Sequence, residues 1–122
     1  DLTPERDFTF VDDTAAAFIK AAELDGVATA PVFNAGSGRS ITIADLVDRV
    51  RHVAGSNKPV IAEAGRTRPP HSEVMALVAD ATRFGEASGW RAEIGLDEGL
   101  ARTVDWWRGR LDRVRTGTND LI

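Results

Sequence analysis

Three arginines have the residue type and the position to bind an anion. Arg6 begins an apolar segment near the start of the chain, and Arg66 and Arg68 precede two consecutive prolines. A guanidinium group presents a rigid fork of N–H donors that matches a pair of phosphate oxygens. Two such forks from separate elements would clamp a diphosphate. The alternative is that Arg6 forms an ordinary surface ion pair with Asp7 or Glu5.

Other reactive residue types give weaker signals. The chain has no cysteine, which excludes disulfides, thiol catalysis and zinc–thiolate sites. His52 and His71 lack the spacing of a metal-binding pair. The segment "GSG" at 36–38 could present N–H groups to a phosphate, but it lacks the longer glycine patterns of nucleotide-binding loops, so an ordinary turn is expected. Composition does not exclude a serine triad, although no Gly-x-Ser-x-Gly elbow supports one.

Strands and helices are predicted to alternate along the chain and to position these residues. Apolar alternation predicts a strand at 6–11, and further strands are predicted at 31–38, where the segment enters a glycine turn, and at 59–64. Helical periodicity predicts helices at 14–24, 42–54, 80–89 and 95–114. The pattern indicates one α/β unit with more helix than strand.

The helices carry recognisable start signals. Asp12 or Asp13 can cap the first helix, and Asp80 can cap the third. Thr42 with Asp45 three residues later is typical of a helix N-terminus. The 42–54 helix and the last helix each carry an apolar stripe, and we expect both stripes to contribute to the core.

The last helix combines arginines with two adjacent tryptophans. Acidic residues interleave with its arginines, which favours a solvated face over a basic patch. The residues concerned are Arg108, Arg110, Arg113 and Arg115, with Asp105 and Asp112. Trp106 and Trp107 cannot both point inward, so one should be partly exposed or covered by another part of a larger protein. Residues 116–122 should fray.

Composition indicates an ordinary soluble domain. The chain has 122 residues, of which 43% are hydrophobic and 28% charged. A net charge of −4 argues against general binding to nucleic acid or anionic membranes. No apolar run approaches the roughly 20 residues of a membrane span, and no secretory signal is recognisable, so a cytoplasmic location is expected. The single methionine is Met75, so we expect a processed product or part of a longer protein.

Four segments in register resemble one protein family. They are "RDFTFVDDTAAAFIKAAE", "VFNAGSGRSITIADLVDRV", "RPPHSEVMALVADATRFGEASGW" and "GLDEGLARTVDWW". Together, over residues 5–108, they resemble the C-terminal third of the extended short-chain dehydrogenase/reductases, the NAD-dependent nucleotide-sugar epimerases and dehydratases. The Arg-Pro-x-x-Ser-Glu-Val form at 68–74 looks most like the 4,6-dehydratase branch. The resemblance implies a small α/β substrate-binding lobe, without the NAD-binding Rossmann core.

The resemblance also implies roles for individual residues. Arg6 and Arg68 match the family's two arginines that bind the nucleotide diphosphate. Glu73 matches an acidic residue that meets the ribose or base, and Ser72 is a weaker candidate of the same kind. Asn34 lies in the family's (Tyr/Phe)-Asn-x-Gly segment and is expected to be structural.

Departures from the family pattern limit what this chain can do alone. The glycine-rich cofactor loop and the Tyr-x-x-x-Lys pair of the family are missing, and the chain contains no tyrosine at all. We therefore expect no catalytic residue, no bound cofactor and no metal in this chain, with NAD held by the Rossmann domain of a longer parent.

The expected parent is a 4,6-dehydratase, and a 4-epimerase is the alternative. The parent should act on a nucleotide-sugar, form a homodimer, and pack its Rossmann domain against the alanine-rich face of the 14–24 helix. A third possibility is a non-enzymatic interaction module whose exposed tryptophan contacts a partner.

Overall fold

A computed structural model describes residues 2–25, 31–61 and 74–110. These parts of the chain form a three-stranded sheet with four helices around it, and the central strand carries Arg6. The strands are β1 (Glu5–Asp7), β2 (Ser40–Thr42) and β3 (Ala76–Leu77). The helices are α1 (Val11–Ala22), α2 (Ile43–Ala54), α3 (Thr82–Ser88) and α4 (Leu96–Arg108).

The sheet brings together segments that are far apart in sequence. Its strand order is β2-β1-β3. β1 and β2 are antiparallel, with Arg6 opposite Ile41. β1 and β3 are parallel, with Arg6 opposite Leu77. The segment after residue 73 therefore lies directly beside the strand that carries Arg6.

The predicted strand boundaries are largely wrong. β1 ends at Asp7, and the segment that follows enters α1 from Val11. Residues 31–38 and 59–61 form no strand, while 62–64 lie outside the described residues. Alternating side chains suggest a strand, but a strand also needs a hydrogen-bonded neighbour. In residues 31–38 the packing comes from one aromatic ring instead, because Phe33 lies against Phe84 with ring centroids 5.4 Å apart.

Asp12 and Asp13 do not cap α1. The cap position belongs to Phe10, which makes no side-chain cap hydrogen bond, and both carboxylates lie in the first helical turn. Asp13 is buried and connects α1 to the segment before α4. Its Oδ2 accepts a hydrogen bond from the Ile94 N–H at 2.9 Å. Its backbone carbonyl accepts one from Trp90 Nε1 at 3.0 Å.

The predicted start of α2 is confirmed. Thr42 is the N-cap, and its hydroxyl accepts from the Asp45 N–H at 3.0 Å and donates to Asp45 Oδ2 at 2.8 Å.

α4 likewise begins after Gly95, as predicted. α3 differs slightly, since Ala81 occupies its cap position while Asp80 accepts from the Thr82 N–H at 3.0 Å.

The most buried core does not lie between the α2 and α4 stripes. It consists of Ala17, Phe84 and Trp90, with Phe84 only 2% exposed. The Phe84 and Trp90 rings stack in a tilted pair with centroids 5.4 Å apart. α2 does pack against α4, but none of its twelve described residues is fully buried. The expected contribution of α2 to the core is therefore only partial.

α1 has its large apolar side chains on the outer side. Val11, Phe18 and Ile19 are 67%, 74% and 60% exposed. Ala17 and Asp13, on the opposite side of the helix, are its buried residues. Amphipathic helices usually bury their apolar stripe, so α1 has the reverse orientation within this chain.

The two tryptophans at the end of α4 are both half-exposed. Trp106 is 50% and Trp107 49% exposed, and their rings pack edge to face at 5.0 Å. The Arg110 guanidinium lies 4.0 Å from the Trp106 ring centroid. Arg108 pairs with Asp105 at 3.4 Å, as expected of a solvated face. The predictions for 111–122 lie outside the described residues.

Within the parts of the chain that the structure describes, no helix has the length and apolar character needed to span a bilayer.

Candidate functional site

Arg6 lies in the middle of the sheet and reaches the segment that precedes β3. Its Nη1 donates to the Val74 carbonyl at 2.7 Å and to the Glu5 carbonyl at 2.8 Å. The Glu5 N–H in turn donates to the Met75 carbonyl at 2.7 Å. The guanidinium is thus held next to the residue that follows Glu73 in the sequence.

The other three predicted site residues, Arg68, Ser72 and Glu73, lie outside the described residues. The distance between Arg6 and Arg68 therefore stays a prediction. What the structure shows is the approach of the two chain segments, since β1 and the residues from Val74 onward run side by side.

A cavity of about 360 Å³ opens beside Arg6. Its walls come from three chain segments: the end of β1 with Thr9, residues 34–36, and residues 77–79. The polar side chains in these walls are Arg6, Asp7, Thr9 and Asn34. Sequence reasoning treated Asn34 as structural and did not single out Thr9. Asn34 precedes a glycine turn, and that position was the one signal that could have indicated a place near a ligand.

Asp7 fixes the geometry of this cavity. Its Oδ1 accepts from the Ser37 N–H at 3.0 Å and the Ser37 hydroxyl at 2.5 Å. Its Oδ2 accepts from the Gly38 N–H at 2.9 Å and the Ala79 N–H at 3.3 Å. Burial alone would raise the pKa of Asp7, but these hydrogen bonds outweigh it and hold the pKa below its ordinary value.

The 36–38 segment is a turn, as expected, and not a phosphate loop. Gly38 has a positive φ of 72°. The N–H groups of Ser37 and Gly38, which could have met a phosphate, donate to the Asp7 carboxylate instead. These residues therefore do not fit the pyrophosphate of a dinucleotide cofactor.

A larger groove of about 570 Å³ lies between β2, the N-terminus of α2 and the N-terminus of α4. It does not contain Arg6. Several of its charged side chains already have partners in the chain: Arg49 pairs with Asp97 at 2.7 Å, and Glu5 accepts from the Ser40 hydroxyl at 2.5 Å. The smaller cavity is the better candidate site because its arginine faces a segment predicted to bind ligand.

Among the described residues, no group of three or more histidines, aspartates or glutamates is placed to hold a metal ion.

The relatives of this chain are nucleotide-sugar enzymes. No protein-family model matches it. It is 36% identical over 120 residues to GDP-L-fucose synthase of Escherichia coli, covering 93% of this chain and 36% of that protein. It is 31% identical over 103 residues to a putative UDP-glucose 4-epimerase of Methanocaldococcus jannaschii, covering 84% of this chain and 31% of that protein.

The similar solved structures are also those of nucleotide-sugar enzymes. The UDP-glucose 4-epimerase of Thermotoga maritima, determined with UDP-glucose, matches with a TM-score of 0.78 and 31% identity, over 91% of this chain and 34% of the epimerase. MoeE5, determined with UDP-glucuronic acid and NAD, matches with a TM-score of 0.77 and 28% identity, over 89% of this chain and 35% of MoeE5.

The chain spans about a third of the length of these relatives. Solved neighbours hold NAD together with a uridine nucleotide or nucleotide-sugar. The fold described above is similar to that of about a third of each of these solved chains. The chain is therefore similar, in sequence and in its small α/β fold, to one portion of the nucleotide-sugar epimerases and reductases.

Proposed function

We propose that this chain binds the diphosphate of a nucleotide-sugar, with Arg6 as one half of a clamp and Arg68 as the other. Glu73 would meet the ribose or base, and Ser72 would assist it. The observation that carries the proposal is the 2.7 Å hydrogen bond from Arg6 Nη1 to the Val74 carbonyl, because it holds the guanidinium one residue from Glu73 at the wall of a cavity.

The chemistry of the cavity suits this ligand. The Arg6 guanidinium is partly buried, so its hydrogen bonds to phosphate oxygens would be less screened than those of a fully exposed arginine. Thr9 and Asn34 add neutral donors in the same walls. The relatives solved with UDP-glucose and with UDP-glucuronic acid support a nucleotide-sugar as the ligand class.

The reaction of the whole protein would need residues that this chain does not have. With no tyrosine, the chain cannot supply the proton-transfer residue of the Tyr-x-x-x-Lys pair. NAD would supply hydride chemistry when bound to a Rossmann domain elsewhere in the parent. The part of this chain would be to hold the nucleotide diphosphate so that the sugar is correctly placed, which is a positioning role.

The Arg-Pro-x-x-Ser-Glu-Val segment favours a 4,6-dehydratase as the parent, with a 4-epimerase as the alternative. The relatives named as UDP-glucose 4-epimerases make the epimerase a strong second candidate. The products separate the two: a dehydratase releases a 4-keto-6-deoxy sugar with loss of water, whereas an epimerase returns a sugar of unchanged mass.

The outer face of α1 supports the presence of a Rossmann domain in the parent. Val11, Phe18 and Ile19 expose an apolar surface on one side of the helix. Such surfaces commonly mark an interface. We assign this face to the nucleotide-binding domain of the parent, since the relatives are about three times as long as this chain.

The clamp can be tested by nucleotide binding to the intact natural protein that carries this chain. Arg6→Ala and Arg68→Ala should each weaken UDP-sugar, dTDP-sugar or GDP-sugar binding by about 1.5–3 kcal/mol, the scale of a hydrogen bond to a charged group. Arg66→Ala, two residues from Arg68, is the matched control and should change affinity less. Titration calorimetry with each nucleotide-sugar measures the difference. Equal effects at 66 and 68, or none at either, would reject the assignment.

A non-enzymatic interaction module is the second candidate, favoured by the half-exposed Trp106 and Trp107. In that case Trp106→Ala would weaken association with a protein partner, measured by pull-down and light scattering, while the arginine substitutions would have no effect.

A further inference from the structure

Asp7 connects three chain segments that line the candidate cavity. It is the last residue of β1, immediately after Arg6. Its carboxylate accepts hydrogen bonds from Ser37 and Gly38, thirty and thirty-one residues away, and from Ala79, seventy-two residues away. Both of its oxygens are used, each by two donors.

We propose that Asp7 is a positioning residue for the nucleotide-diphosphate site, holding the segment after β3 at a fixed distance from Arg6. The proposal rests on the proposed function of Arg6 and extends it to a residue that should not touch the ligand.

The need for such a residue follows from the weakness of β3. This strand has two residues, both exposed, and two residue pairs with β1. Short edge strands are poorly held by backbone pairing alone. The hydrogen bond from the Ala79 N–H to Asp7 extends the attachment two residues past Leu77. It thereby fixes the far end of the segment whose near end, at Val74, contacts the Arg6 guanidinium.

The 36–38 turn supplies the other fixed point. Ser37 and Gly38 together give three of the four hydrogen bonds to Asp7. Gly36 lies so close to Ala79 that an added Cβ would overlap the Ala79 methyl group. The turn, β1 and the residues after β3 therefore meet at the Asp7 carboxylate, and losing that group should let the cavity walls separate.

Asp7→Asn is the direct test, since it preserves the size of the side chain. An amide NH₂ group cannot accept a hydrogen bond, so one orientation loses the contacts from the Gly38 and Ala79 N–H groups and the other loses the contact from the Ser37 N–H. In the intact natural protein, we expect dissociation constants for UDP, dTDP, GDP or CDP to rise about tenfold, about the worth of a single hydrogen bond to a charged group, because the lost contacts act on the ligand only through the position of the cavity walls. The affinity for NAD should stay unchanged.

Two further variants separate positioning from general stability. Glu5→Gln is the matched control, because Glu5 lies on the same face of β1 but its carboxylate contacts Ser40 of β2. Ser37→Ala removes one donor to Asp7 and should give a smaller loss of nucleotide affinity.

In a double-mutant cycle, the losses of nucleotide affinity caused by Asp7→Asn and by Ser37→Ala should be non-additive, since both substitutions act on the same contact. Hydrogen exchange should accelerate at residues 77–79 and stay unchanged in α2 and α4.

The outcomes are distinguishable. If Asp7→Asn binds nucleotide like the unaltered protein while Arg6→Ala does not, the positioning role is wrong and the proposed function stands. If neither substitution changes nucleotide affinity, the proposed function itself fails. An equal loss of NAD and nucleotide affinity would show a purely structural role and overturn the inference. Should Asp7→Asn fail to fold, the Ser37→Ala result decides by the same criteria.

Discussion

Gly36 lies at a backbone approach that leaves no room for a side chain. A Cβ at this position would overlap the Ala79 methyl group and lie 2.8 Å from Asp7 Oδ2. The neighbouring atoms belong to the cavity wall and to the carboxylate that fixes it, so they cannot move away without breaking hydrogen bonds. The requirement for glycine here is therefore steric.

Gly36→Ala should destabilise the fold by about 1–3 kcal/mol, the usual cost of overpacking. Urea unfolding of the 122-residue chain measures the change in the free energy of unfolding. Gly109→Ala is the control, because a Cβ there meets its nearest atom at an ordinary 3.7 Å. An equal stability change in both variants would contradict the steric explanation.

At the scale of single elements, α2 depends on its N-cap residue. Thr42 satisfies the Asp45 N–H at 3.0 Å, one of the helix N-terminal donors that have no partner within the helix. Thr42→Ala should lower the free energy of unfolding by about 0.5–2 kcal/mol. Thr42→Ser retains the hydroxyl and should remain close to the unaltered chain. Thermal unfolding followed by circular dichroism compares the two, and indistinguishable midpoints would exclude a capping contribution.

The outer face of α1 gives a prediction that depends on which protein is measured. Phe18 is 74% exposed in this chain, so Phe18→Ser should change the stability of the isolated chain little. In the intact natural protein, where we propose that a Rossmann domain covers this face, the same change should cost about 2–4 kcal/mol. Denaturant unfolding of both proteins measures the contrast.

Lys20→Ser is the matched control for α1, because Lys20 is exposed and its ammonium group pairs with Glu23, the residue that follows the helix, at 3.0 Å. It should have small effects in both proteins. If Phe18→Ser is equally harmless in the intact protein, α1 does not form the interface.

At the scale of the whole molecule, we expect the isolated chain to show no turnover. Positioning a sugar for hydride transfer requires a second domain, so the isolated 122 residues should bind nucleotide-sugars weakly or not at all. Incubation with NAD and a panel of nucleotide-sugars, followed by mass spectrometry for a 4-keto product, tests this. A product formed by this chain alone would overturn the assignment, since it has no tyrosine to act as the base.

Local features of this protein were predictable from sequence because their causes are local. The Thr42 cap, the start of α4 after Gly95 and the end of α3 at Gly89 each depend on residues within a few positions of one another. The resemblance to nucleotide-sugar enzymes, and the place of Arg6 within it, also came from short motifs. Relatives and fold agree with that resemblance at the level of epimerases and reductases.

Only the tertiary structure decided which segments pair and which carboxylates are used. Residues 31–38 were predicted to be a strand yet form none, and the two-residue β3 was not predicted, because strand formation depends on a neighbour distant in sequence. Asp13 looked like a cap but is buried against Ile94, eighty-one residues away. Asp7 looked like a surface partner for Arg6, whereas its carboxylate joins Ser37, Gly38 and Ala79. Such long-range hydrogen bonds leave no periodic signal in the sequence.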